Sequence, residues 1–398
     1  MSLRQYTKPL IAGTFIVFSC LGLARFAFGM VLPNMQVDLG MNTTQAGIVG
    51  SANFLGYFIG LFTVAPFYKR FGLAKVISRS LWTQAGSMFL MAMAPNYIFV
   101  ALCLVITGFF GAIVNISVMT YIAQVVPSHI KGRATGIVVA GIGLSVIISG
   151  ALVPLIEQYF AVPWRISWAV FAFLILCIGL FTYRVLVEFV PHSSNHHIAD
   201  SLNIKDIFTD IPFLVTGALF FVFGMSAIMY MTFFVAAAVT QWHVSIEISG
   251  TFWAILGVTS LFSGPIFGVV SDRIGRYATL GILFFFQALA QAILAFAVPP
   301  LFLLFSAGLF GISTWAVPSI MATLSAELFG ASNTARILSL VTLFFGVGQI
   351  VGPLAAGIVT DATGDFKVIF GLSSIALIIA SSLSFFGAKK NIKEIYGN

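Results

Sequence analysis

Charged residues are scarce in this chain: Asp, Glu, Lys and Arg together make up 8% of its 398 residues, whereas apolar residues make up 60%. A mean hydropathy of +1.06 lies far outside the range of soluble globular domains. The net charge of +7 is not gathered into a basic arm or face of the kind that binds nucleic acid. The composition therefore indicates a polytopic membrane protein and no nucleic-acid partner.

Cysteine is also rare, and Cys20, Cys103 and Cys177 all lie inside apolar runs. They form neither a disulfide framework nor a metal-binding spacing. No Cys or carboxylate completes a metal site with the cluster His192, His196 and His197, which favours a solvated linker. The chain also lacks the zinc-protease, phosphate-loop and Ser/His/Asp signatures. We therefore predict no metal, no cofactor and no enzymatic activity.

Long apolar runs dominate the chain, and about 20 such residues cross a bilayer as one helix. The first run lacks a small-residue cleavage site and is interpreted as an uncleaved span. The runs predict an all-α protein with twelve spans, at residues 9–36, 44–67, 73–94, 97–125, 134–157, 164–186, 210–237, 247–270, 278–297, 300–326, 335–359 and 367–387.

The basic residues are distributed asymmetrically between the two sides of this arrangement. With a cytoplasmic amino terminus, sixteen of the 19 Lys and Arg residues fall on the cytoplasmic side. Only Arg165 and Lys367 fall outside, and Arg25 falls within the membrane. By the positive-inside rule, both termini are predicted to be cytoplasmic.

The two halves of the sequence repeat each other at one offset. Arg70 and Arg273, Arg133 and Arg336, and three pairs of glycines are each 203 residues apart. This predicts two pseudo-symmetric six-helix bundles in the same orientation. The predicted boundaries are residues 1–187 for the first bundle, 188–206 for a cytoplasmic linker, and 207–398 for the second bundle.

The loop after the eighth span, GVVSDRIGR, resembles the GxxxDRxGRR signature of the major facilitator superfamily. KGRATG at 131–136 and GVGQIVGPLAAG at 346–357 support the match, and the ARF motif near Arg25 is similar to the YbfB/YjiJ-type subgroup. The resemblance covers nearly the whole chain. It implies a monomeric transporter that works by alternating access in the lipid bilayer of a bacterial inner membrane.

The signature loop is interpreted as a gating latch. Asp272 would accept hydrogen bonds at a helix amino terminus of the other half, and the neighbouring arginines would bind anionic headgroups. The alternative is that these residues only anchor the topology. In the first half, Lys69 replaces the acid. The latch residues are predicted to be Gly268, Asp272, Arg273, Gly275 and Arg276, with Arg70, Arg133 and Arg336 in the related loops.

Arg25 lies deep in the first span, where a charged side chain is costly and marks a functional candidate. The resemblance implies that spans 1, 4, 7 and 10 line the substrate path. The polar or aromatic residues near mid-depth there and on spans 2 and 8 form the predicted substrate site, namely Arg25, Asn53, Tyr57, Asn115, Tyr230, Thr232, Trp253, Thr314 and Trp315.

None of the twelve acids is predicted at the depth of Arg25. A cavity arginine without a carboxylate suits a small organic anion, which a guanidinium binds bidentately. Two alternatives stay open: Arg25 bonds backbone carbonyls, or the chain exports amphipathic compounds. A channel is a weaker possibility. Proton coupling would use Asp38, Glu247, His243 or the substrate itself, while facilitated diffusion and anion exchange need no proton.

Overall fold

The computed structural model describes residues 3–127, 130–188, 210–296, 298–329 and 334–396, and within these ranges every regular element is helical. The α-helices are α1 (Thr7–Val17), α2 (Phe28–Leu39), α3 (Thr43–Leu61), α4 (Val64–Phe71), α5 (Leu73–Ala92), α6 (Tyr97–Val125), α7 (Lys131–Tyr159), α8 (Pro163–Glu188), α9 (Ile211–Gln241), α10 (Ile246–Ile274), α11 (Arg276–Ala295), α12 (Leu301–Thr314), α13 (Ala316–Phe329), α14 (Thr334–Thr363) and α15 (Phe366–Tyr396). A 3₁₀ turn, Leu3–Tyr6, precedes α1, and a π-helical segment, Phe18–Phe26, separates α1 from α2. The predicted all-α class is confirmed.

Each predicted span coincides with a helix. In the described part of the chain, 10 helical stretches are long and apolar enough to cross a membrane, among them Thr7–Leu39 and Leu301–Phe329. The helices α3 and α5 occupy the positions of the predicted second and third spans. Each of the twelve predicted spans therefore overlaps a helix or a pair of consecutive helices, although α3 ends before the second predicted span does.

Local sequence explains where the helices near the predicted substrate site begin and end. Gly40 adopts a left-handed conformation, with φ of 58°, and ends α2. Asn42 then starts α3 with a capping box: its side chain accepts from the Gln45 backbone N–H at 2.8 Å, and the Gln45 side chain accepts from the Asn42 N–H at 3.1 Å. Asn96 caps α6 by accepting from the Phe99 N–H at 3.0 Å.

The chain divides into two compact units. One consists of Met1–Asn195 with Met231–Val258, and the other of His196–Tyr230 with Thr259–Asn398. The helices α9 and α10 therefore contribute residues to both units. The predicted linker, residues 188–206, lies outside the described residues except for Glu188. The predicted domain boundaries thus stay a prediction.

Close helix packing in the first unit places Asn53 beside the first membrane helix. At Gly108, the backbones of α6 and α3 are so close that a Cβ atom would collide with the Asn53 carbonyl. Small residues permit such an approach between membrane helices. Asn53 consequently lies where α3, α6 and the π-helical segment meet, and its side chain is 4% exposed.

Candidate functional site

The first membrane helix widens at its centre. Residues Phe18–Phe26 form a π-helical segment, in which each bond spans five residues instead of four, and the Ala27 N–H continues this pattern by donating to the Gly22 carbonyl at 3.0 Å. Such π turns are rare, and they occur frequently at functional sites. Arg25 belongs to this segment, so the costly cation and the unusual backbone coincide.

Two amide side chains bind carbonyls of the π segment. Asn53 of α3 donates through Nδ2 to the Ala24 carbonyl at 3.3 Å and to the Leu104 carbonyl at 3.4 Å. Gln84 of α5 donates through Nε2 to the Cys20 carbonyl at 3.4 Å. The two amides therefore engage the segment at carbonyls four residues apart. Gln84 was not among the predicted site residues, although a glutamine inside an apolar run is a detectable signal.

A small residue lets α7 contact the π segment directly. A Cβ atom at Gly22 would collide with the side chain of Ser145, whose hydroxyl donates to the Ile142 carbonyl at 2.6 Å. The segment is therefore held between Ser145 on α7 and the amides on α3 and α5. This packing limits its rotation about the helix axis.

The Arg25 side chain is only 7% exposed and is surrounded by aromatic rings. Its Cζ atom lies 4.0 Å from the ring centroid of Phe54, 4.5 Å from that of Tyr57 and 5.5 Å from that of Phe26. Cation–π attraction at desolvated sites is worth about 2 kcal/mol, which offsets part of the cost of burying the charge. A substrate anion or backbone carbonyls were predicted beside Arg25, but the ring of Phe54 was not.

Arg25 lines a small cavity in the first unit. The cavity measures about 10 Å³, which is room for roughly one water molecule. Asn53 and Thr232, both predicted substrate-site residues, also line it. The other lining residues are mostly apolar, namely Phe26, Phe28, Gly29, Gly50, Phe54, Leu104 and Met231.

Tyr57 and Asn115 extend this polar group. The Asn115 side chain donates through Nδ2 to the Tyr57 hydroxyl at 2.9 Å, and the Tyr57 ring faces Arg25. Five predicted substrate-site residues thus lie together in the first unit, namely Arg25, Asn53, Tyr57, Asn115 and Thr232. Their role in binding stays a prediction.

Trp253 also belongs to the first unit, but its indole is engaged in helix packing. It is fully buried, and its Nε1 donates to the Ser149 hydroxyl of α7 at 3.1 Å. Its ring stacks near Phe234, with centroids 6.5 Å apart. Trp253 therefore connects α10 to α7.

Tyr230, Thr314 and Trp315 lie in the second unit. The Tyr230 ring stacks on Phe310 with centroids 3.9 Å apart, and its hydroxyl is 2.8 Å from the Ser306 hydroxyl. Thr314 is buried and donates to the Phe310 carbonyl at 2.5 Å. Trp315 is half-buried at the break between α12 and α13.

The signature loop forms a charged cluster within the second unit. Arg276 donates to Asp272 at 2.6 Å, to the Ser271 hydroxyl at 2.9 Å and to Glu327 at 2.9 Å. The last contact ties the start of α11 to the end of α13. Glu327 was not predicted, because no spacing rule connects it with the loop. The predicted latch between the two halves stays a prediction.

The remaining latch candidates are placed as follows. Gly275 has a φ of 88°, a conformation that favours glycine, between α10 and α11. Arg273 is exposed, and Gly268 lies within α10. Arg70 and Arg133 are exposed in the first unit, where the Arg70 Cζ lies 5.3 Å from the Phe71 ring centroid. The side chain of Arg336 lies outside the described residues.

Two of the carboxylates at helix ends have defined partners in the first unit. Asp38 accepts from the Trp164 Nε1 at 2.8 Å and from the Arg165 guanidinium at 3.3 Å. Glu157 accepts from the Asn34 amide at 3.1 Å. Among the described residues, no group of three or more His, Cys, Asp and Glu side chains could hold a metal ion.

The helices of membrane-spanning length define the class as a multi-pass membrane protein. The chain belongs to the major facilitator superfamily, since the model of the family described as "Uncharacterised MFS-type transporter YbfB" matches residues 17–385. It is similar to the multidrug resistance protein MdtG of Klebsiella pneumoniae, at 26% identity over 86% of this chain and 85% of that protein. It is also similar to the hexuronate transporter of Bacillus subtilis, at 27% identity over 69% of this chain and 67% of that protein.

A solved structure shares the fold. The bacterial homologue of the human lysosomal transporter Spinster, in its inward-facing and unoccupied conformation, superposes with a TM-score of 0.75 at 15% identity and covers 99% of both chains. These matches confirm the predicted superfamily, the fold of two six-helix bundles and the absence of enzymatic function. The protein is therefore a multi-pass membrane transporter.

Proposed function

We propose that this transporter moves a small organic anion across the bacterial inner membrane by alternating access, with Arg25 as the contact for the anion. The observation that carries the proposal is the position of Arg25, which is 7% exposed and lines a cavity together with Asn53 and Thr232. Buried ionisable groups in membrane helices mark substrate and ion pathways. A planar guanidinium also matches the geometry of a carboxylate.

The aromatic rings around Arg25 suit a transport site better than a fixed ion pair. Phe54 and Tyr57 stabilise the cation without neutralising its charge. An arriving carboxylate therefore still meets a full positive charge in a water-poor environment. The described cavity holds about one water molecule, so the site must widen before a larger anion enters.

The relatives support two substrate classes. The hexuronate transporter of B. subtilis is named for a carboxylate, which agrees with the anion proposal. The relative MdtG is named for multidrug resistance, and the apolar cavity lining, with Phe26, Phe28 and Phe54, favours amphipathic compounds as the second candidate. A positive charge in the cavity disfavours cationic drugs in either case.

Orientation and energy coupling complete the proposal. The distribution of Lys and Arg supports a cytoplasmic position for both termini, and we expect a monomer. Protons are the candidate coupling ion. Asp38 is already ion-paired with Arg165. Glu247 and His243 are therefore the other two side chains that we propose as proton carriers. The substrate itself is a further carrier.

A thermal-shift screen on purified protein tests the anion site. The probes are galacturonate, nicotinate and benzenesulfonate as anions and tetraphenylphosphonium as a cation. At about 100 times its Kd, a bound anion stabilises the folded protein by about 2.7 kcal/mol. We expect Arg25→Ala and Arg25→Lys to lose this response.

The exposed Arg79 provides a matched control, since Arg79→Ala and Arg79→Lys remove the same chemical groups outside the cavity. These variants should keep the anion response of the wild type. Stabilisation by tetraphenylphosphonium alone, with the Arg25 variants responding normally, would contradict the proposal and support efflux of amphipathic compounds.

A further inference from the structure

The amide of Gln84 is fully buried among apolar helices, where a polar side chain is costly unless it is hydrogen-bonded. Its Nε2 atom donates to the Thr107 carbonyl at 2.8 Å and to the Cys20 carbonyl at 3.4 Å. The first bond anchors the amide on α6, and the second reaches the π segment. Gln84 thus connects the widened backbone to two neighbouring helices.

Asn53 also bonds both α6 and the π segment, about one turn further along the π segment than Gln84. Its Nδ2 atom bridges a carbonyl of α6, at Leu104, and a carbonyl of the π segment, at Ala24. Each amide therefore links α6 to the first membrane helix through two acceptors. Arg25 directly follows Ala24, so the backbone bound by Asn53 sets the direction in which the guanidinium projects.

In the second half of the chain, a single buried amide bonds a membrane helix without changing its α-helical form. Gln291 of α11 is also fully buried and donates to the Ser226 carbonyl of α9 at 3.4 Å. The helix α9 nevertheless stays α-helical from Ile211 to Gln241. Among the described residues, a π-helical segment occurs only at Phe18–Phe26. One amide bond thus coexists with a regular helix, whereas the π segment has two amides and the Ser145 contact at Gly22.

We propose that Gln84 and Asn53 are positioning residues that hold Phe18–Phe26 in its π-helical form and thereby direct Arg25 towards Phe54 and Tyr57. Returning the segment to an α-helix would change its register relative to α2. One residue of an α-helix corresponds to a rotation of about 100°, which would turn Arg25 away from both rings. The consequence for transport rests on the anion function proposed above, whereas the structural role of the two amides does not.

The first test needs no ligand. In a background with Cys103→Ser and Cys177→Ser, the buried Cys20 of the π segment is the sole thiol, and N-ethylmaleimide reaches it only when the segment opens. Gln84→Leu should raise the alkylation rate about fivefold, the factor expected when the segment loses its one hydrogen bond to Gln84, of about 1 kcal/mol. Gln291→Leu, which removes an equally long bond from a regular helix, should leave the rate unchanged.

The second test separates positioning from general stability. Gln84→Leu and Gln291→Leu should both lower the unfolding temperature of the ligand-free protein, since each removes a buried hydrogen-bonded amide. Only Gln84→Leu should also weaken stabilisation by galacturonate, nicotinate or benzenesulfonate, by about tenfold in apparent Kd. Asn53→Leu is expected to give the same two results and serves as the second variant if Gln84→Leu does not fold.

The outcomes distinguish the two proposals. Unchanged Cys20 alkylation in both Gln84→Leu and Asn53→Leu, or an equal increase in Gln291→Leu, would overturn the positioning role. If none of the three anions stabilises the wild type, the anion function fails, but the alkylation rates still decide whether the amides hold the π segment.

Discussion

The first membrane helix and α9 occupy equivalent positions in the duplicated sequence, yet only the first carries a charge. At the offset of 203 residues, the counterparts of Arg25, Asn53, Tyr57 and Asn115 are Ile228, Leu256, Ser260 and Pro318. The segment around Ile228 is α-helical, and the neighbouring Tyr230 stacks on the neutral ring of Phe310. The two copies therefore share a helical framework, and an arginine occupies this position in only one of them.

The loops show the opposite distribution. Asp272, Arg276 and Glu327 form a charged cluster in the second half, whereas their counterparts at the same offset are Lys69, Leu73 and Gln124. The turn itself is present in both halves, because Gly72 and Gly275 have positive φ values of 77° and 88°. The backbone geometry of the turn is therefore shared between the halves, whereas the residue types of the charged cluster are not.

An arginine introduced at the equivalent position of the second half tests this comparison with the largest expected effect. Ile228 is 4% exposed and lies in a regular α-helix. Ile228→Arg should therefore cost roughly 3 kcal/mol or more, the cost of a guanidinium at the centre of a membrane helix. The recovery of monodisperse protein in detergent measures the effect, with Ile228→Leu as the control. Normal recovery of Ile228→Arg would show that the second half can also accommodate the charge.

Removing one ring from each half compares a cation–π contact with neutral stacking. Both Phe54→Leu and Phe310→Leu lose packing contacts. Phe54→Leu should lower the free energy of unfolding by about 2 kcal/mol more than Phe310→Leu, because the Phe54 ring centroid lies 4.0 Å from the Arg25 Cζ atom. The unfolding temperatures measure both changes. In an Arg25→Ile background the excess should disappear. An excess that persists there would assign it to packing alone.

The two tyrosine hydroxyls provide a smaller comparison. Tyr57→Phe deprives the Asn115 amide of its acceptor, whereas after Tyr230→Phe the Ser306 hydroxyl keeps its bond to the Ala290 carbonyl. We expect the free energy of unfolding to fall by about 1 kcal/mol for Tyr57→Phe and by about half of that for Tyr230→Phe. Thermal unfolding of both variants measures the order, and the reverse order would contradict it.

The loop cluster should contribute least. Arg276→Leu introduces the residue type found at the equivalent position, Leu73, and removes partly exposed ion pairs. It should lower the free energy of unfolding by about 0.5 kcal/mol or less. The difference from wild type should shrink in high salt because exposed charges are screened. Arg273→Leu, at an exposed neighbouring position, is the control. A large loss that salt does not alter would indicate a buried structural role instead.

The position of Arg25 could be predicted because depth in the membrane follows from its place in an apolar run. The grouping of Asn53, Tyr57, Asn115 and Thr232 around it was predicted only as residues lining a common path. Phe54 was missed because a phenylalanine is unremarkable among the 42 in the chain, and Glu327 because it lies 51 residues from Arg276. Contacts between distant segments leave no periodic signal along the chain.

The sequence alone determined the class of protein, the twelve helices and the buried cation, because burial in lipid imposes apolar runs of fixed length and makes any charge within them conspicuous. The tertiary structure decided the π-helical form of Phe18–Phe26, the amides that bind it and the rings that Arg25 faces. These features depend on side chains from α3, α5 and α7 meeting one short segment, and such meetings are set by helix packing and not by local sequence.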